Sequence, residues 1–156
     1  FVRPPLPSPA RDKALFGLST TVRAQIFFRI GELLNQAKRC RSAGQLEDTF
    51  FELYARVKSS SRPSPGRLQY FQFKDLFNNH PPYLPGTLSG WRMGSVVDKD
   101  SAVFLGVFQD HSLMLCRCIC KMEEVTKGRW GIRVMAIQKS DWEVVDSTKR
   151  LLFAAI

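Results

Sequence analysis

Long apolar runs are missing from this chain. Nothing in it approaches the ~18 to 20 residues of a membrane-crossing helix, and the longest candidate is residues 151–156. The expectation is a protein that is not integral to a membrane. Histidine is scarce, with only His80 and His111, and no Cys-x-x-Cys pair occurs, so neither a zinc ribbon nor a dithiol redox motif can be assembled. A Gly-x-Ser-x-Gly elbow and a glycine-rich phosphate loop are absent too. The carboxylate pairs Asp98 with Asp100 and Glu123 with Glu124 fall at predicted strand ends, where solvated charge is the ordinary state. We therefore expect neither an enzyme nor a metal or other cofactor.

What is present begins with a row of sulfur. Three of the four cysteines, Cys116, Cys118 and Cys120, occupy alternate positions between Met114 and Met122. In a strand rising ~3.3 Å per residue their sulfurs would stand ~7 Å apart on one face. Zinc with bonds of ~2.3 Å needs sulfurs ~3.8 Å apart, so the spacing predicts a strand with a buried sulfur face, not a metal site. Cysteine packs as a small hydrophobe. Free thiols at all four positions, Cys40 included, favour a reducing compartment.

Charge is abundant and lopsided. The 156 residues carry 23 Lys and Arg against 14 Asp and Glu, a formal +9. Residues 1–80 hold 13 basic and 6 acidic side chains, residues 81–156 hold 10 and 8. An excess of this kind meets phosphate in RNA or anionic lipid headgroups, or docks an acidic protein. The candidate contacts are Lys38, Arg39 and Arg41, then Arg56, Lys58, Arg62 and Arg67. The first three would also complement the negative end of a helix dipole. Nearby Tyr70, Phe71 and Phe73 could stack on bases.

Along the chain, Pro4, Pro5, Pro7 and Pro9 make residues 1–18 an extended arm. The first residue, Phe1, points to a removed presequence or a start inside a longer chain. Residues 19–156 read as one domain with a surface linker at 59–67. Apolar periodicity predicts helices over 21–40 and 45–59, together a hairpin. Alternation predicts strands over 102–109, 112–123, 129–138 and 142–145, with a turn at Asp110 and His111 and another at Lys127 and Gly128. The expected fold class is α+β, an N-terminal helical hairpin packed on an antiparallel meander of about four strands.

This element order, closing with Asp141-Trp142-Glu143-Val144-Val145-Asp146, resembles the nuclear transport factor 2-like superfamily over residues 19–150. The resemblance implies a cone-shaped sheet wrapped around helices. Some members use its pocket for catalysis; others, among them a mitochondrial import-motor adaptor and a mitoribosomal protein, use the fold to dock. No catalytic Asp-His pair can be placed here, so the docking branch is implied. The resulting expectation is a non-catalytic accessory subunit of a large mitochondrial assembly of the respiratory or ATP synthase type. Its partners would be other protein subunits, and it would lie in the matrix or on the matrix face of the inner membrane. The alternative is an RNA-binding protein of the mitochondrial ribosome.

Overall fold

The computed structural model describes residues 25–63, 66–107 and 114–154. The proline arm at Pro4, Pro5, Pro7 and Pro9, and the predicted turn at Asp110 and His111, lie outside the described residues.

A short strand β1 (Gln25–Phe27) precedes helix α1 (Ile30–Ser42), which buries Ile30, Leu33, Ala37 and Cys40 at helical spacing. Expectation placed one helix over 21–40. It begins later because Ile26 and Phe27 pair in parallel with the strand that starts at Phe51. The helix start has no local side-chain cap; instead Asp75 Oδ1, 45 positions away, accepts a 2.7 Å hydrogen bond from the Ile30 amide. A carboxylate there also meets the positive end of the helix dipole.

The expected second helix is instead a 3-10 turn (Leu46–Asp48) followed by strand β2 (Phe51–Ser61). Phe50, Leu53, Tyr54 and Val57 fit a helical stripe, but both faces of this strand are buried, and that makes a strand imitate one. Phe51, Leu53, Ala55 and Val57 point inward at period two, and Glu52 and Tyr54 are covered on the outer side. Strand β2 runs through Ser61, so the first part of the expected linker belongs to the sheet.

Next come β3 (Leu68–Lys74) and β4 (Leu84–Ser89), both antiparallel to their predecessors. Helix α2 (Val96–Ala102) follows, capped by Ser95 Oγ, which accepts from the Asp98 amide at 3.2 Å. Of the strand expected over 102–109, the described residues 102–107 hold only β5 (Gly106–Val107), which pairs with Ser59 and Ser60. Phe104, fully buried between exposed Val103 and Leu105, produced the alternation that suggested a longer strand. Strands β6 (Met114–Thr126) and β7 (Arg129–Lys139) form the hairpin that the sulfur row and Gly128 predict. Cys116, Cys118 and Cys120 are buried and unbridged, packed in one core with Phe51 and Leu53.

The last correction concerns residues 142–145. They open helix α3 (Trp142–Ala154), not a strand, because Asp141 Oδ1 accepts from the Val144 amide at 2.8 Å and Val145 and Thr148 face the protein. Capping and burial override the strand preference of the valines.

The strands do not form an open meander. The order β2-β3-β4-β7-β6 closes on itself through pairing of β6 with β2, with β4 and β7 parallel and every other junction antiparallel. The core fills the interior of this five-stranded barrel, as closure at this size requires. Helices lie outside it, so the expected helical hairpin on one sheet face is replaced by a barrel whose ring begins with the segment read as the second helix.

Candidate ligand-binding groove

On β3 and β4, alternation sends Phe71, Phe73, Leu84, Gly86 and Leu88 inward and leaves Tyr70, Gln72, Pro85 and Thr87 on the outer face. These outer residues floor a groove of about 590 Å³. One wall is the end of β2, at Ser59 to Ser61, with Gly106; the other is the β6–β7 hairpin, at Glu123, Val125 and Gly131. Gly131 lies on this wall: a Cβ there would sit 3.1 Å from Val125 Cγ2, within the hairpin itself, and in ordinary contact, 3.5 Å, with the Pro85 carbonyl oxygen. Tyr70 is 46% exposed, and its strand is pinned where Ser60 Oγ donates to the Tyr70 carbonyl at 2.9 Å. The charged side chain lining this groove is Glu123.

A second pocket, of about 480 Å³, opens where β4 and β7 part. Their parallel pairing consists of Gly86 with Ile132 and Thr87 with Arg133. Beyond it the pocket is lined by Ser89, Trp91, Arg92, Ser95, Arg133 and Met135, among others. Thr87 belongs to the groove and its pairing partner Arg133 to the pocket, so the two cavities adjoin.

The basic residues marked by the sequence do not assemble into one phosphate surface. Arg41 pairs with Glu124 at 2.6 Å and lies over the Trp130 ring, at 5.1 Å. That hydrogen bond, followed by one from the Gly128 amide, holds the Glu124 carboxyl below its ordinary range. Arg56 donates to the carbonyls of Asp75 and Asn78, both at 2.7 Å, and to Asn79 Oδ1 at 2.9 Å. Arg62 meets Asp98 at 3.0 Å, donates to Gln69 Oε1 and Ser101 Oγ, and stacks 4.5 Å from the Trp91 ring centre. Asp98 is held low by the Gly94 amide first and Arg62 second. Arg67 donates to the Trp91 carbonyl at 3.2 Å. Lys58 faces the Tyr83 ring at 5.4 Å. Lys38 is exposed beside Arg129, and Arg39 is exposed near the end of α1. The structure thus brings Arg62 and Arg67 together on Trp91 and disperses the others.

Of the three rings that the sequence marks for stacking, Tyr70 is available, while Phe71 and Phe73 are core. Burial pushes the thiols of Cys116 and Cys118 well up, which leaves them protonated and unreactive. Sequence reasoning missed Trp91, Arg92 and Arg133. A signal exists for Arg133 alone, a cation at an outward position between the inward Ile132 and Val134.

A five-stranded barrel in which the third and fifth ring strands run parallel, a helix joins the third to the fourth, and an outer groove crosses the second and third has the OB fold. That class is set by the strand order itself. No family model matches the chain, and no curated protein matches it. Among solved structures, yeast Stn1 and Ten1 align over 85% of this chain and 90% of theirs, at 13% identity and a TM-score of 0.46. A replication protein A heterotrimer bound to single-stranded DNA aligns over 68% and 70%, at 12% identity and 0.44. A Leishmania major Friedlin protein assigned as an aspartyl-tRNA synthetase aligns over 78% of this chain, at 10% identity and 0.45; the chain spans 21% of its length.

Proposed function

We propose that the protein binds single-stranded nucleic acid across the β3–β4 face. The observation that carries this reading is the Tyr70 ring, half exposed on the floor of the groove between the end of β2 and the β6–β7 hairpin. Barrels of this topology use the corresponding face and loops for oligonucleotides, and an aromatic floor takes any base because every base has a π-face. Thr87, Ser61 and Gln72 supply neutral donors and acceptors at the edges. The net charge of +9 attracts a polyanion from a distance.

Fluorescence anisotropy with 12-nucleotide DNA and RNA strands over a salt series tests it. Binding should weaken steeply with salt, and Tyr70→Ala should weaken it by about tenfold, within the ~1 to 3 kcal/mol of one stacked base. Absence of salt-dependent binding to either strand would sink the idea.

A second reading is a docking module that seats an extended segment of another subunit in the same groove, as in the expected mitochondrial assembly. Two observations favour it: Glu123 is the charged side chain of the groove, and Arg41, Arg56, Arg62 and Arg67 are engaged within the chain. Co-purification from mitochondria followed by identification of the accompanying chains would support this reading. The same proteins retained by Tyr70→Ala would count against the groove as their seat.

A further inference from the structure

We infer that the pocket between β4 and β7 is a phosphate subsite. It takes a backbone phosphate of the strand lying in the adjoining groove, and so rests on the reading just given. Arg92 and Arg133 are exposed at this pocket, and among the described residues neither makes an ion pair or a side-chain hydrogen bond. This sets them apart from Arg41, Arg56, Arg62 and Arg67, each of which has an acceptor. The cavity therefore offers two guanidinium groups, whose planar forks fit phosphate oxygens, with the hydroxyls of Ser89 and Ser95 beside them.

The independent observation is Trp91. It lines the same pocket and is 6% exposed, yet its indole Nε1–H has no acceptor among the described residues. Buried donors are nearly always satisfied, and leaving one unmet is unfavourable. Trp91 and the two free cations line one pocket, and the buried indole N–H reports on a ligand bound there rather than touching it. Trp91 is also fixed in place: Arg62 stacks on its ring and Arg67 holds its carbonyl. The nearest acid in the sequence, Asp98, is paired with Arg62. Because Tyr70 pairs with Thr87 and Thr87 with Arg133, a strand whose base stacks on Tyr70 reaches this pocket by crossing two ladder spacings, roughly 10 Å. The sequence tract first read as the phosphate surface thus acts one step removed, Arg62 and Arg67 steadying the tryptophan of the site.

The test follows the indole N–H signals of nitrogen-15-labelled protein, with Trp91 assigned through Trp91→Phe. Inorganic phosphate and pyrophosphate should shift the Trp91 signal saturably, and the double variant Arg92→Ala, Arg133→Ala should abolish the shift with its melting temperature unchanged. In anisotropy the same variant should bind a 12-nucleotide strand at least tenfold more weakly, its log-log salt slope reduced by about 0.7 for the phosphate lost. Oligonucleotide binding that is identical in the double variant, with no phosphate shift in wild type, would overturn the subsite and leave the groove reading standing. A phosphate shift that needs both arginines, without oligonucleotide binding, would uphold the anion pocket and overturn the nucleic-acid reading. A phosphoserine peptide that binds where the oligonucleotide does not would overturn the nucleic-acid source of the phosphate.

Discussion

Two outer faces of this barrel are built on opposite principles. The face formed by β2 and β6 is closed: Tyr54 stacks on Phe28 with ring centres 5.2 Å apart, α3 seats Val145 against them, and Glu52 and Arg117 meet at 3.1 Å with 3% and 2% exposure. The face formed by β3 and β4 is open, nearly neutral, and presents Tyr70 to solvent. Charge is buried and paired where a helix packs, and kept off the floor where a ligand would lie. A tyrosine on the first face is covered by a helix and on the second is left half exposed.

The closed face should show the largest effects when it is broken. Arg117→Ala leaves the Glu52 carboxylate buried without its guanidinium, and should lower stability by ~3 to 5 kcal/mol in chemical denaturation. The matching change beside the open face, Arg133→Ala on β7, should move stability by less than ~0.5 kcal/mol. Equal losses would erase the distinction.

Alkaline pH sharpens it next. Burial, and then the Glu52 charge, push the Tyr54 hydroxyl up from 10.0 to about 12. The folded state holds this proton more tightly than the unfolded chain. The stability it represents is therefore complete below pH 10 and is lost as pH rises toward 12, in all by ~3 kcal/mol at ~1.4 kcal/mol per unit. Tyr54→Phe should flatten that part of the stability profile.

Gly86 lies on β4 under the open face but faces inward. A Cβ there would meet Phe73 Cε2 at 2.6 Å and Val134 Cγ2 at 3.4 Å. Gly86→Ala should lower stability by ~1 to 3 kcal/mol, read as a shifted denaturation midpoint. The smallest stability effect belongs to Tyr70→Ala: under ~0.5 kcal/mol in the melt, alongside the tenfold loss of binding. A large destabilisation would make Tyr70 a structural residue after all.

The parts of the fold that could be read from sequence were those in which one face carries the pattern. Strands β6 and β7 were legible because Cys116, Cys118 and Cys120 alternate with Arg117 and Ile119 and a glycine turn follows. Helix α1 was legible through its stripe of Ile30, Leu33 and Ala37. Strand β2 was not, since burying both faces fills the sequence with apolar residues at helical spacing as well. Helix α3 was not, since Trp142, Val144 and Val145 favour strands locally and only Asp141 signals a helix start. Tyr70 could be named in advance as a candidate ring, and the structure leaves it half exposed. That Arg92 and Arg133 line one pocket could not, because that pocket opens where two parallel strands separate, a consequence of ring closure that no local pattern encodes.

Asp75 has a consequence for the order in which the molecule is made. Helix α1 leaves the ribosome before β3 does, yet the carboxylate that completes its first turn belongs to the residue just after β3. During synthesis the helix must wait, frayed at its start, until the second strand of the ring has been made and turned back beneath it. A chain stopped short of residue 75 would carry this helix without that acceptor.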